Sequence, residues 1–591
     1  MRKVKIEVLK LLFVFLFLAA VAPAHVVRAN VNQINDSAYL MGINNVLLVD
    51  TDDMLYNSGQ KKWIRVKYTY QSSDPSVAVI NGELLRAKKE GKAVITQYAN
   101  GTYVKKFTVN VTLFDYRYNG KTLILTGYHS KMKLPSKLVI PEKVAGVKVT
   151  EIGSHAFENA KVDSVLIGAN ITKIGESAFE KSTAKKITVK GAATLGNYTF
   201  LGCKQLSELE LLGKVRVGAN FVAGCPKLKT LTFQGDAIIG FSGLHYAEAT
   251  EITFQGKAVL EPEAMIECEG IKRINFQGNA ELGLRAITDT SVEQISFLGS
   301  AKLGVEAISM CESLKEVTFG KDAVLSKEAI SLADELKQIT FEGGTKLKAG
   351  AISSSGLETV TFGGKSYLGK GAFTTCSNLQ TLTFQSNVEF EKYAFDGCLQ
   401  IKDILCDESK TILHGNPFYT YFDAETDPII LRLAYRHNQK IWLYNEDTQK
   451  AYAKILEGMS LVSASDSEVA KLRKVHDWIA ESIEYDHSET HYSVMDALLL
   501  GKSICGGYSR VLEMFLEFLD MPNAYIISPS MEHAWNQVLL DGNWYNIDVT
   551  WDDPTGHPIH HNYFLKSDSA FSDHTGYETM GCTSTLYDNI K

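Results

Sequence analysis

The sequence predicts a multidomain chain: an all-β N-terminal domain, then a solenoid of short repeats with a parallel sheet, then an α+β C-terminal domain. Three observations lead there. The chain has 591 residues, too many for one ordinary hydrophobic core. Apolar strand positions recur every 21 or 22 residues from Ile167 to Cys406. A fixed period of that size marks units that bury their faces only against one another. Beyond the repeats, helical periodicity over 469–483 and 511–519 gives way to strand alternation on both sides of Asp541-Gly542.

Composition narrows the function classes. Hydrophobic residues make up 45% and charged residues 22%, as in soluble globular protein. Net charge is −7 and there is no long basic run, so phosphate-neutralising nucleic-acid binding is excluded. At the start, Arg2, Lys3, Lys5 and Lys10 precede or enter an apolar run from Leu11 to Ala22. That run is about half of the ~20 residues that span a bilayer. Ala22-Pro23-Ala24 and Val27-Arg28-Ala29 both suit cleavage, so residues 1–29 read as a secretory signal peptide. The expected location is secreted or at the extracellular cell surface, with no transmembrane segment in the mature chain.

Residues 30–113 alternate in strand fashion, with turn signals at Asn81-Gly82 and Asn100-Gly101. The run Ser72-Ser73-Asp74-Pro75-Ser76-Val77-Ala78, followed by Gly91-Lys92-Ala93-Val94-Ile95-Thr96, resembles the bacterial Ig-like group 2 domain. The resemblance implies an Ig-like sandwich serving as a spacer or adhesion module.

Residues 114–406 carry the repeats. Ile167, Val189, Leu211, Phe233, Phe254, Phe276, Phe297, Phe319, Phe341, Phe362 and Phe384 each close a short strand such as Leu231-Thr232-Phe233. Two apolar residues flank one small polar residue, the pattern of a half-buried strand. Between strands come segments such as Ile152-Gly153-x-x-Ala156-Phe157 and Leu368-Gly369-x-x-Ala372-Phe373. The pattern resembles the BspA-type leucine-rich repeat of microbial surface proteins. Thr232, Thr253, Asn275, Ser296, Thr318, Thr340, Thr361 and Thr383 should line the outer face of the sheet. That ladder suits either a ligand-binding surface or simple strand propensity. Cys203, Cys225, Cys268, Cys311, Cys376 and Cys398 are 22, 43, 43, 65 and 22 residues apart. Those separations are multiples of the repeat, so these thiols are expected as reduced core residues rather than staples. Cys582 lies off this lattice and has no evident partner. Residues 407–450 read as cap and linker, with 429–435 covering the last repeat.

Residues 451–591 hold the chemistry. Gly501-Lys502-Ser503-Ile504-Cys505-Gly506-Gly507-Tyr508 runs into an amphipathic helix, so Cys505 opens that helix, where N–H groups and the dipole favour an anionic thiolate. His533-Ala534-Trp535-Asn536 begins one strand, and Asp541-Gly542 marks a two-residue hairpin. The return strand is read as 543–551. A two-residue loop pairs Leu540 with Asn543, which places His533 and Asp548 as diagonal neighbours on one face.

These residues resemble the transglutaminase-like superfamily, with its Gly-x-x-x-Cys-x-Gly-Tyr, His-Ala-Trp-Asn and Tyr-x-x-Asp-x-Thr-Trp motifs. Lys474-Val475-His476-Asp477-Trp478-Ile479 and Tyr485-Asp486 match its leading helix and following corner. The resemblance covers about 451–563 and implies an α+β papain/transglutaminase-like fold. It also implies catalytic roles: Cys505 as nucleophile, His533 as general base and acid, Asp548 as the group orienting His533. The activity so implied is amide hydrolysis or acyl transfer through a thioester, acting on a protein or peptide, with peptidoglycan peptide among the candidates. The alternatives are an adhesin with a non-catalytic domain and a protein cross-linking acyltransferase. No oxyanion donor is named by the motifs; helix-start N–H groups serve, and Trp535 or Trp544 are candidates to shape the acyl site. No cofactor and no metal site is expected. His560-His561 and Asp552-Asp553 lack further ligands in the sequence and read as solvent-facing polar residues.

Overall fold

The structure, a computed structural model, describes residues 31–35, 38–42, 44–49, 52–57, 62–128, 133–419 and 427–591. The leader expected over 1–29 lies outside them. The chain divides into two compact units, 1–249 and 250–591.

In the first unit, a six-stranded sheet runs in the order Val31–Asn35, Ala38–Gly42, Thr102–Thr112, Gly91–Ala99, Lys62–Ser72, Asp52–Asn57. A smaller sheet of Val46–Leu48, Leu84–Ala87 and Ala78–Asn81 faces it. Met41, Leu85, Ile95, Val109 and Val111 from the two sheets share one core. Alternation of apolar and polar residues drives this, because period 2 sends one set inward. Repeat strands follow, and Ser164–Ile167 pairs in parallel with Lys186–Val189, which pairs with Glu208–Leu211. Phe157 stacks on Phe179 at 5.2 Å between ring centroids, and Phe233 is fully buried.

The second unit continues the same repeat logic. Strands Glu251–Phe254, Arg273–Phe276, Gln294–Phe297, Glu316–Phe319, Gln338–Phe341, Thr359–Phe362 and Thr381–Phe384 form one parallel ladder in strict register. Register matters because it puts identical side chains over one another. Phe254, Phe276, Phe297, Phe319, Phe341, Phe362 and Phe384 consequently stack face to face, with centroids 4.6–5.0 Å apart. The polar position of each strand is half-buried and points outward, and Ser296 donates to Asn275 Oδ1 at 2.9 Å along it.

The stack needs an end. Helix Asp427–His437 supplies it: Arg432 donates to the Ile401 carbonyl at 3.4 Å, and His437 contacts Asp403 at 3.1 Å. Trp442 packs on Phe390 at 5.8 Å, taking the place that a further repeat would fill. Arg432 also reaches Glu517 on helix Cys505–Phe518 at 2.5 and 2.7 Å. The cap thus ties the last repeat to the helix that carries Cys505. The C-terminal domain then sets helices Glu446–Met459, Glu468–Ser482 and Cys505–Phe518 against a sheet ordered Asn523–Ser528, His533–Leu540, Asn543–Ile547, Phe564–Lys566. No helix among the described residues is long and apolar enough to cross a membrane.

All nine cysteines are free, and the six on the repeat lattice are buried. Burial raises the thiol of Cys311 to about 11, which keeps it protonated and unreactive. Alkylation of the native protein followed by mass mapping should find those six unlabelled and unpaired until denaturant is added. Replacing Phe297 by Ala opens the middle of the stack and should cost ~3–5 kcal/mol, read as a lower urea midpoint for the repeat transition.

Candidate active site

Helix Cys505–Phe518 starts where the chain turns out of Ile504, which is extended and brings no side-chain cap. The Cys505 N–H therefore sits at the open, positive helix end. Gly507 is required there, since a Cβ on it would lie 1.9 Å from Ser503 Oγ. Tyr508 anchors the next turn, its hydroxyl lying 2.6 Å from the Ile483 carbonyl and 2.8 Å from Asp553. Both motif residues after Cys505 thus hold the helix start in place.

The hairpin forms as the dipeptide dictates. Asp541 and Gly542 have φ of 48° and 77°, the left-handed pair of a type I′ turn. Leu540 pairs with Asn543, and the register holds through Asn536 with Ile547. The return strand is shorter than the sequence suggests: it ends at Ile547, not 551. Asp548 is instead the N-cap of a short helix, Val549–Asp552, and its Oδ1 accepts from Thr550 N at 3.0 Å and Trp551 N at 3.2 Å. Two backbone donors outcompete continued strand pairing and lock the carboxylate's rotation.

The three candidate residues come together. His533 Nε2 donates to Asp548 Oδ2 at 2.6 Å, leaving Nδ1 for the Cys505 thiol. Cys505, His533 and Asp548 are 7%, 8% and 1% exposed, a narrow site with only the nucleophile and the imidazole touching solvent. Burial works against a charged His533, but bonds to Asp548 and Cys505 outweigh it and raise the ring to about 9. Burial likewise opposes ionised Asp548, but its His533 and His574 bonds hold the carboxyl below its usual value. Glu532, just before His533, adopts φ of 51° and turns its carbonyl to 4.0 Å from Cys505 Sγ.

Several neighbours were not legible in the sequence. His574 Nε2 bonds the same Asp548 Oδ2 at 3.1 Å, its Nδ1 meets Asp573 at 3.0 Å, and Tyr563 donates to Asp573 at 2.7 Å. Trp551, not Trp544, lies against His533, with centroids 5.3 Å apart. Trp544 pairs with Leu539 near the turn. Trp535 is fully buried beneath the site, 5.8 Å from His533 and 4.8 Å from His574. The Tyr525 hydroxyl lies 3.6 Å from where a Cβ on Gly506 would stand, over the first turn of the Cys505 helix. Burial pushes the phenols of Tyr525 and Tyr485 up, and both lie near Cys505.

The expectation for 552–561 is corrected. Asp552 is fully buried and His561 is 7% exposed; His560 and Asp553 are partly open. His476 lies between Asp477 at 3.0 Å and Asp552 at 3.2 Å, while His560 and His561 bond Asp552 and Asp477 at 2.8 and 2.7 Å. Burial disfavours charge on His476, but the two carboxylates outweigh it and raise the ring. The local polarity pattern hid this because the partner carboxylate, Asp477, is about eighty residues away. His476, Asp477 and His561 present ligand atoms close together. Arg473, 3.4 Å from His561 Nδ1, brings a cation to the cluster, which suits a hydrogen-bonded ionic knot. Asp553 is also not free, since Tyr508 holds it.

Comparison with known proteins matches three regions of the chain to family models. Residues 136–249, 237–343 and 303–422 match the BspA type leucine rich repeat region, and 458–549 match the transglutaminase-like superfamily. Residues 59–111 match the hyaluronate lyase N-terminal beta-sheet domain, and this region stands as a β domain. Kyphoscoliosis peptidase of Mus musculus is 26% identical over 111 residues, 15% of this chain and 17% of that protein; the Homo sapiens protein is 25% identical over the same shares. This chain thus spans about 17% of the length of those curated relatives. Among solved structures, a T. pallidum leucine rich repeat protein is 20% identical, with a TM-score of 0.24, over 34% of this chain and 88% of that one. One from Bacteroides ovatus is 15% identical, with a TM-score of 0.25, over 50% and 93%. A TGase is 18% identical, with a TM-score of 0.18, over 24% and 42%. The chain carries a BspA-type leucine-rich-repeat region and a transglutaminase-like domain.

Two outcomes follow from the electrostatics. His533 is raised from 6.5 to about 9, so its stabilising contribution is complete below pH 6.5 and lost as pH rises through 9. The stability gap between wild type and His533→Gln, measured by urea unfolding, should therefore narrow over that window. Asp552→Ala strands His476 without one of its two carboxylates and should cost ~3–5 kcal/mol, seen as a lower melting temperature of the C-terminal domain.

Proposed function

We propose that this chain is a surface-located cysteine amidohydrolase or protease, delivered to its substrate by the repeats and the N-terminal β domain. The observation that carries the reading is the line from a helix-start thiol to a buried imidazole to a carboxylate whose other oxygen is already fixed. His533 takes the Cys505 proton. The thiolate attacks the amide carbonyl carbon, a C–S bond forms, and the carbonyl electron pair moves onto oxygen. The Cys505 N–H at the open helix end and the Tyr525 hydroxyl over it are the donors placed to hold that oxyanion. As the intermediate collapses, the C–N bond breaks and His533 gives its proton to the leaving amine. Water, deprotonated by His533, then cleaves the thioester, releasing the acid and returning the proton to sulfur.

Water is the preferred acceptor because the curated relatives that match part of this chain are named peptidases. The surface location is supported by the BspA-type repeats and by the leader composition. Protein or peptide, including peptidoglycan peptide, is the substrate class, and the half-buried Thr ladder is the candidate ligand face of the repeats.

Cys505→Ala should abolish release of new termini from peptide substrates while leaving the melting temperature close to wild type. His533→Ala should do the same. Asp548→Asn, which keeps the Oδ1 cap, should retain ~10⁻²–10⁻⁴ of turnover. Fast alkylation of Cys505 that His533→Ala slows at least ~10-fold supports the enzyme. A Cys505 no more reactive than glutathione, and indifferent to His533→Ala, would leave the non-catalytic adhesin reading. Amine incorporation that outruns hydrolysis when an amine is added would instead favour cross-linking.

A further inference from the structure

Resting on that functional reading, the geometry points to His574 as a positioning residue of the Cys505 site, acting through Asp548. Its Nε2 and the Nε2 of His533 meet one and the same oxygen, Asp548 Oδ2, at 3.1 and 2.6 Å. The other oxygen is filled by the two backbone N–H groups of Thr550 and Trp551. Every acceptor position of this buried carboxylate therefore has a donor, and His574 is the only side chain sharing it with His533 among the described residues. The ring is itself held on all sides. It stacks on Phe571 at 3.7 Å and lies 4.2 Å from Trp551, and its Nδ1 meets Asp573, which Tyr563 in turn bonds. His574 and Asp548 side chains are fully buried, whereas Asp573 is about half exposed. A chain of groups thus runs from a surface carboxylate to the nucleophile: Asp573, His574, Asp548, His533, Cys505.

Sharing one oxygen has two consequences. First, with Oδ1 capped and Oδ2 held from two directions, Asp548 cannot rotate away when His533 moves toward a leaving group. Second, a donor on Oδ2 withdraws part of the charge that would otherwise fall on His533. An imidazole facing an unshared buried carboxylate binds its proton more tightly and gives it up less readily. His574 therefore keeps His533 acidic enough to protonate the leaving nitrogen. The groups facing His533 are Cys505, Asp548 and His574. Glu532 precedes His533 in the chain and is exposed, and Asp573 lies beyond His574; the phenols of Tyr485, Tyr525 and Tyr563 are raised by burial and so neutral through this range.

The test uses the full chain and iodoacetate, an anionic alkylator whose reaction with Cys505 is favoured by a charged His533 and falls as that ring loses its proton. In wild type the alkaline limb should lie near 9. His574→Phe keeps the ring against Phe571 and removes the donor; its limb should move up by about one pH unit, and peptide turnover should fall about tenfold. Asp573→Asn, at a half-exposed position, should move the limb the same way by less. His574→Gln places a neutral N–H near Oδ2 and should recover part of the turnover lost in His574→Phe. If His574→Phe and Asp573→Asn, both folded by circular dichroism, give limbs superposable on wild type, His574 is core packing and the proposal is wrong. If His574→Phe does not fold, Asp573→Asn decides alone. A wild-type Cys505 that alkylates like glutathione with no alkaline limb overturns the functional reading instead, and the two failures are told apart by the wild-type curve.

Discussion

A carboxylate taken completely out of water must have its acceptor positions filled, and the C-terminal domain is arranged around meeting that demand at Asp548. Transfer of an isolated carboxylate into a protein interior costs far more than any single contact returns. Four donors remove the cost here: two backbone N–H groups of the helix that Asp548 caps, and the two imidazoles of His533 and His574. The strand must stop at Ile547 for the cap to form. The segment beyond Phe564–Lys566 must fold back to deliver His574. That return is held by a second carboxylate, the half-buried Asp568, which accepts from Asn546, Tyr577 and the Cys582 N–H. Gln537 and Trp535, side by side on the central strand, both donate to Asn546 Oδ1, so the sheet and the C-terminal segment are joined through one amide.

The same physics recurs on the other side of the domain. His476 is buried between Asp477 and Asp552, and each carboxylate holds a further histidine. Asp552 lies four residues after Asp548, at the other end of the same short helix. One helical turn therefore separates the carboxylate serving the thiol from the carboxylate serving the ionic knot. The knot pins that turn to helix Glu468–Ser482, and so fixes where Asp548 can stand. Its contribution is to geometry, since a buried ion pair rarely adds much net stability.

The repeats answer a different constraint. No coil buries its own apolar face, so stability comes from neighbours and the ends must be closed. In the second unit the phenylalanine stack ends under Trp442 and the cap helix, and Arg432 spans from the Ile401 carbonyl to Glu517. The cap is thus shared with the thiol helix, through the Arg432–Glu517 pair.

Much of this was legible in the sequence because it depends on short-range periodicity. The repeat spacing fixes strand register, and register alone stacks Phe254 through Phe384. Asp541-Gly542 selects a two-residue turn, and counting back from it places His533 near Asp548 without any coordinates. Gly507 could be singled out from its motif, although the reason, Ser503 pressed against it, could not. What the sequence left undecided depends on contacts between distant segments. His574 follows the recognisable motifs in a stretch with no periodicity, and nothing local says that it returns to Asp548. Asp552 and His561 look like surface residues until Asp477 and His476 arrive from a helix about eighty residues earlier. The end of the return strand at Ile547 was decided by competition between a cap and a ladder, which a pattern of residues cannot weigh. Periodic order is written in neighbouring residues and can be read there; the burial of a charge is settled only when the whole chain has closed around it.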